Sequence, residues 1–231
     1  MTGLPADGHR VVLFAGHYGS GKSTVALGYA EMLRARFPGE RIALADLDIV
    51  NPYFRTKDCE PLLREIGVEL IASDYASSNV DVPAMPESAY RITEDRGLKV
   101  IVDVGGDDRG ALAMGRYAPA LIEEGDYDML AVINSSRPLT STPGDTVAVL
   151  REIESACGIP FTGIVNCTNL GRDTSAETVI SSLPYAEAVA EMTGLPVAFT
   201  AVRRELLGRM PDGMTVLPVS HVISHGGIEN Y

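Results

Sequence analysis

A glycine-rich octapeptide near the amino end is the feature that most restricts what this chain can fold into. It reads Gly-His-Tyr-Gly-Ser-Gly-Lys-Ser over residues 16–23 and fits the pattern G-x-x-x-x-G-K-[ST]. An apolar run, 11–15, precedes it, and a segment with apolar residues at helical spacing, 24–34, follows it. A strand, a glycine loop and a helix in this order predict a phosphate-binding loop, in which main-chain N–H groups and the helix amino end face an anion. We call residues 16–23 the P-loop.

The P-loop predicts which side chains would contact a nucleotide and its metal ion. Lys22 is expected to reach the β- and γ-phosphates and to take part in catalysis, and the Ser23 hydroxyl is expected to hold Mg²⁺. The predicted nucleotide-binding residues in this region are Gly16, His17, Tyr18, Gly19, Ser20, Gly21, Lys22, Ser23 and Thr24.

Strand-like and helix-like segments alternate along the chain. Strands are predicted at 11–15, 41–45, 68–72, 99–103, 128–133, 161–165, 196–200 and 215–219, with helices between most of them. The helix at 111–124 is expected to be interrupted near Pro119, and the helix at 175–192 to break or bend at Pro184. This order predicts an α/β fold, a three-layer α/β/α sandwich with a mainly parallel sheet. We expect residues 1–9 to be a flexible lead-in and 10–231 to form one nucleotide-binding domain.

Acidic residues follow two of the predicted strands. Asp46 and Asp48 come directly after the second strand, and their spacing allows both to point to one side. One of them is a candidate for Mg²⁺ through water and the other for orienting a nucleophile, although either can be a turn or cap residue. Asp103 ends an apolar strand and is followed by Gly105 and Gly106, which is typical of the acid that helps to hold Mg²⁺ and of a hinged loop beside the γ-phosphate.

Composition narrows the class of partner. The net charge of −12 argues against a broad nucleic-acid surface and against attachment to anionic lipid. No apolar run is long enough for a membrane span, and the amino end lacks the apolar stretch of a signal peptide. The three cysteines are far apart, which predicts reduced thiols in a cytoplasmic protein, with a cluster shared across a dimer as the alternative.

With these motifs together, the chain resembles the MinD/ParA/CobQ-type nucleotide-binding family, in the SIMIBI class of P-loop NTPases. Gly-His-Tyr-Gly-Ser-Gly-Lys-Ser and Asp-Leu-Asp-Ile-Val-Asn-Pro-Tyr-Phe-Arg are similar to a subgroup usually called only "ATP-binding protein". The resemblance covers about residues 10–170 and implies that Asp48 positions the attacking water. It also implies that Asp103, with Ser23 and Asp46, serves the metal ion, and that Asn166 recognises the base.

The chain departs from that family's pattern in one important place. Where MinD/ParA proteins carry a lysine that reaches across a dimer, this chain has His17, which does not deliver a fixed positive charge. Arg55, Arg109 and Arg116 are the candidates to replace it, although each can equally be a surface ion-pair residue. The pattern N-K-x-D is absent, so ATP is favoured over GTP.

Three functions are compatible with this sequence. The first is a Mg²⁺-dependent ATPase that acts as a nucleotide switch for a protein partner or a homodimer, with metalloenzyme maturation as a setting implied by the resemblance. The second is an ATP-dependent small-molecule kinase or ligase of the dethiobiotin-synthetase or cobyrinate-amidation kind, with 73–96 and Arg203-Arg204 binding the acceptor. The third is a scaffold that senses ATP without hydrolysing it.

Overall fold

Eight strands form one sheet in the computed structural model, which describes residues 8–47, 59–72, 87–106, 111–112, 114–224 and 227–230. The strands are β1 (Val11–Ala15), β2 (Arg41–Leu47), β3 (Glu69–Ile71), β4 (Leu98–Val104), β5 (Tyr127–Ile133), β6 (Gly163–Asn166), β7 (Val197–Arg203) and β8 (Val216–Val219). Their spatial order is β3-β2-β4-β1-β5-β6-β7-β8, and every neighbouring pair is parallel. The predicted parallel α/β fold is therefore confirmed.

Helices cover the sheet on both sides. They are α1 (Lys22–Arg36), α2 (Glu60–Glu65), α3 (Arg91–Glu94), α4 (Ala118–Glu124), α5 (Pro143–Cys157), α6 (Ala176–Ser181) and α7 (Leu183–Thr193). Short 3-10 turns occupy Glu87–Tyr90, Pro138–Thr140, Gly171–Asp173 and Arg204–Arg209. In the described part of the chain, no helix is both long enough and apolar enough to cross a bilayer.

Alternation along the strands divides the apolar core into two layers. Val12 and Phe14 of β1 pack with α1 on one face, where Phe14, Tyr29 and Phe199 bring their rings together with centroids 5.4 to 6.4 Å apart. Val11 and Leu13 point to the other face and pack with α4, α5 and α7. Because both faces of the sheet are buried, its strands are continuous apolar runs rather than alternating ones.

Two prolines lie where the sequence predicts a helix to be interrupted. Residues 111–112 and 114 are helical, 115–117 form a turn, and α4 begins at Ala118 with Pro119 in its first turn, which confirms the predicted interruption. Pro184 likewise lies in the first turn of α7, directly after α6, which confirms the predicted break. The predicted strand at 41–45 extends to Leu47, so Asp46 belongs to the strand itself. The antiparallel hairpin of β9 (His221–Ser224) and β10 (Gly227–Asn230) was not anticipated.

Candidate functional site

The P-loop lies at the centre of the sheet, at the edge formed by the carboxyl ends of the strands. It leaves β1, which pairs with β4 on one side and β5 on the other, and it leads directly into α1. Chain connections run in opposite directions from this point, and in open parallel sheets ligands bind at such a position. The fold therefore places residues 16–23 where a bound ligand is expected.

The amino end of α1 is open to an anion. Gly21 is its N-cap residue, no side chain caps the helix, and its first turn contains no acid. The side chains of Thr142 and Ser175 cap α5 and α6, whereas α2, α3, α4 and α7, like α1, begin without a side-chain cap. An uncapped helix start presents N–H donors and a partial positive charge, which a phosphate group satisfies.

Ser20 adds an unused polar group to this cradle. Its side chain is 1% exposed, and its Oγ has no hydrogen-bond partner among the residues that the structure describes. Its main-chain N–H donates to the carbonyl oxygen of His17 at 3.1 Å, which closes the turn of the loop. Buried hydroxyls normally find a partner, so the loop fits a ligand that carries acceptor oxygens.

The loop after β6 packs against the P-loop at Gly21. This glycine has a φ of +101°, and a Cβ there would lie 2.5 Å from Sγ of Cys167. Both the backbone conformation and the close contact therefore require glycine. Burial raises the pKa of the Cys167 thiol to about 12, so the thiol stays protonated at neutral pH and serves as a packing group.

Lys22 connects the P-loop with the loop that follows β4. Its side chain is 6% exposed, and Nζ donates to the carbonyl oxygen of His17 at 3.4 Å. A Cβ on Gly106 would lie 2.7 Å from that Nζ and 3.0 Å from the main-chain nitrogen of Tyr18. Gly106 therefore packs directly against the lysine that a P-loop uses to bind phosphate.

Asp46 and Asp103 are neighbours at the same edge. Asp46 of β2 is in register with Asp103 of β4, which is in turn in register with Phe14 of β1. Paired residues of parallel strands point to the same face, about 4.8 Å apart, and here that face is the one covered by α1. Carboxylates at neighbouring positions on one face of a sheet repel each other, and a divalent cation between them would relieve this repulsion.

Other predicted residues have different surroundings. Asn166 is fully buried: its Nδ2 donates to Oγ of Ser182 at 2.8 Å, and its Oδ1 accepts from the main-chain N–H of Thr168 at 3.1 Å. Both ends of its amide thus shape the loop after β6, and base recognition by Asn166 stays a prediction. His17 is half-buried and its Nδ1 bonds to the carbonyl oxygen of Tyr18 at 2.9 Å.

Three candidates, Asp48, Arg55 and Arg109, lie outside the described residues. Arg116 is described and exposed, in the turn before α4, which packs on the face of the sheet opposite α1. Among the described residues, no group of three or more His, Cys, Asp or Glu side chains is arranged to hold a metal ion. Binding of a metal ion by Ser23, Asp46 and Asp103 stays a prediction.

Sequence reasoning missed Arg137. It follows β5, and its Nε donates to the carbonyl oxygen of Gly19 at 2.7 Å. The signal was available in principle, because the loop after β5 must reach the same edge of a parallel sheet as the P-loop.

The central glycine loop, the parallel sheet and the uncapped helix start define a P-loop NTPase fold, and comparison with solved structures agrees. Chloroplast FtsY from Physcomitrella patens is 18% identical with a TM-score of 0.53, covering 85% of this chain and 59% of that one. Cell division protein FtsY from Thermotoga maritima is 16% identical with a TM-score of 0.55, covering 98% and 66%. The 54 kDa signal recognition particle protein from Aeropyrum pernix, solved with GDP, is 17% identical with a TM-score of 0.53, covering 98% and 45%.

These likenesses concern the fold. The chain spans between 45% and 66% of the length of these three structures. No protein-family model matches the sequence, and no curated protein matches it either. The resemblance to the MinD/ParA/CobQ-type family therefore stays a prediction.

Proposed function

We propose that this protein binds ATP with Mg²⁺, hydrolyses it, and uses the bound nucleotide as a switch for a protein partner or a second copy of itself. The observation that carries this proposal is the packing of Gly106 against Lys22 and Tyr18. A loop in contact with the phosphate-binding lysine has to respond when a phosphate arrives or leaves, because no space separates the two.

The residues divide the chemistry among them. Lys22 and the P-loop amides neutralise phosphate charge, while Ser23, Asp103 and Asp46 hold the magnesium ion directly or through water. When bound, Mg²⁺ supplies charge neutralisation for the β- and γ-phosphates. Asp48 is proposed to orient the attacking water. The rate then comes from positioning and electrostatic stabilisation rather than from covalent chemistry.

Adenine is the proposed base. From the last residue of β6 the chain reads Asn166-Cys-Thr-Asn169, so the amide of Asn169 stands where N-K-x-D would have a carboxylate for guanine. An amide donates and accepts at once, which suits the adenine edge. The Asn169 amide is engaged locally, donating to the carbonyl oxygen of Cys167 at 2.7 Å and accepting from the Gly171 N–H at 3.2 Å. We therefore expect this loop to rearrange when the base binds.

A protein partner is proposed in preference to nucleic acid or membrane. The net charge of −12 disfavours both polyanionic surfaces. Tyr18, within the P-loop, is 49% exposed and lies beside Gly106, so a partner that contacts it would be sensitive to the nucleotide. Metalloenzyme maturation is the setting that the family resemblance implies, and the cytoplasm is the expected compartment.

Calorimetric titration with Mg²⁺ and either ATP or GTP tests the binding step. We expect wild-type protein to bind ATP more tightly than GTP, and Lys22→Ala to lose about 100-fold or more in affinity, because a buried charge-assisted contact is removed. Lys99→Ala is the matched control, since Lys99 lies on β4 away from the P-loop, where its Nζ is 3.6 Å from Glu40. Unchanged affinity in Lys22→Ala would overturn the assignment of the site.

Phosphate release with and without added protein tests the switch. Asp48→Asn is expected to keep ATP binding and to slow turnover, because an amide cannot accept the proton of the attacking water as a carboxylate does. A rate equal to wild type would remove Asp48 from this role. Turnover that required an added metabolite instead of a protein would favour the kinase or ligase alternative.

A further inference from the structure

Arg137 is the arginine that the described structure brings to the P-loop. Its Nε donates to the carbonyl oxygen of Gly19 at 2.7 Å, and its Cζ lies 3.5 Å from the position that a Cβ on Gly19 would occupy. The guanidinium therefore packs on the glycine at the outer bend of the P-loop. A larger residue at position 19 would push it away.

The loop that carries Arg137 is braced. The Arg137 N–H donates to the carbonyl oxygen of Asn134 at 3.3 Å, and the Thr140 N–H donates to the carbonyl oxygen of Arg137 at 3.1 Å. Thr140 is held in turn, because its carbonyl oxygen accepts from the hydroxyls of Thr146 at 3.1 Å and Tyr185 at 2.9 Å. These hydrogen bonds tie the backbone of the loop to α5 and α7, so the backbone position of Arg137 is fixed.

Arg137 has no acidic partner in the part of the chain that the structure describes. Among the residues that the structure describes, its guanidinium forms no ion pair and its two Nη atoms make no hydrogen bond, whereas Arg10, Arg91 and Arg203 all pair with glutamates. In a chain with 31 acids and 19 bases, a half-buried arginine that meets no carboxylate among the described residues is unexpected. Its positive charge lies beside a loop that also carries Lys22, which favours an anion bound between them.

We propose, building on the nucleotide-binding function above, that Arg137 is a positioning residue for the nucleotide phosphates. Its Nε–H holds the Gly19 carbonyl group on the outside of the P-loop, and its Nη groups supply fixed charge and further donors to a phosphate oxygen. The charge that His17 does not provide then comes from the loop after β5 of the same chain.

Three substitutions separate these contributions. Arg137→Gln keeps an N–H donor for Gly19 without charge, Arg137→Lys keeps charge without the planar fork, and Arg137→Ala removes both. Calorimetry with Mg²⁺ and a non-hydrolysable ATP analogue, at low and high salt, should show about a ten-fold or greater loss of affinity for the alanine variant. The glutamine and lysine variants should lie between it and wild type, and the gap between wild type and glutamine should narrow as salt rises. With ATP, KM should rise more than kcat falls.

The matched control is Arg151→Ala, which removes an equally charged side chain, 55% exposed on α5 and paired with Glu154. It should bind like wild type, and thermal melts without nucleotide should show that the Arg137 variants remain folded. If wild type binds the analogue and Arg137→Ala binds it within two-fold, the role of Arg137 is refuted while the proposed function stands. If Arg137→Gln equals wild type at low salt, its charge is not used and the proposal fails. If wild type itself takes up no nucleotide, the proposed function fails.

Discussion

Replacing Gly106 with alanine tests the contact between the loop after β4 and the P-loop. The added Cβ would lie 2.7 Å from Nζ of Lys22, 3.0 Å from the Tyr18 nitrogen and 3.1 Å from the Tyr18 Cα. Ordinary contact begins near 3.4 Å, so Nζ has to move by about 0.7 Å and the Tyr18 backbone by about 0.4 Å. Misplacing a positioning group by about 1 Å can cost about 100-fold in rate.

We therefore expect Gly106→Ala to lower kcat/KM for ATP by about 10- to 100-fold while the free energy of unfolding falls by no more than about 2 kcal/mol, typical of modest overpacking. Stopped-flow phosphate release and chemical denaturation measure the two quantities. Gly144→Ala is the control, because Gly144 lies in α5 with open space where its Cβ would stand. Wild-type turnover in Gly106→Ala would show that the two loops separate when nucleotide binds, and the reasoning would fail.

Three further predictions concern stability and thiol chemistry. Gly144→Ala should stabilise the fold by about 0.5–1 kcal/mol in urea denaturation, since alanine favours a helix over glycine. The Arg10 guanidinium lowers the pKa of Glu124 below its ordinary value, and both side chains are less than 10% exposed. Their pairing therefore stabilises the protein above about pH 4.5, and this stabilisation is lost as pH falls through the lowered pKa. Glu124→Gln should lower the free energy of unfolding by about 3–5 kcal/mol at pH 7 and should make that free energy depend less on pH in acid. Burial raises the pKa of the Cys157 and Cys167 thiols to about 12. Mass spectrometry should therefore find both thiols unalkylated in native protein at pH 8 and alkylated after unfolding. Rapid alkylation of the native protein would contradict this.

Much of the architecture was predictable because the strongest signals were local. Strands buried on both faces need continuous apolar residues, and for that reason the run 128–133 predicted β5. The break at Pro184 was equally readable, since proline lacks the N–H that a helix interior needs. The interruption near Pro119 was readable for the same reason, since a turn at 115–117 separates the helical residues 111–112 and 114 from α4, which has Pro119 in its first turn.

The contacts around the site were less predictable. Asp46 and Asp103 are 57 positions apart in sequence, and only the placement of β4 between β1 and β2 brings them into register. Asn166, whose role in base recognition stays a prediction, makes contacts that were equally hidden: its amide bonds within the protein to Ser182 and Thr168. Which groups an amide satisfies depends on packing, and no local pattern reports it.

The sequence by itself determined the order of strands and helices and the place of the P-loop between β1 and α1, because periodicity and glycine spacing act over a few residues. Tertiary structure decided which distant loops meet that loop: Gly106 from β4, Arg137 from β5 and Cys167 from β6. These contacts between loops follow from the lateral order of strands in the sheet. That order is set by the packing of whole helices and strands together, which the local sequence around each residue does not encode.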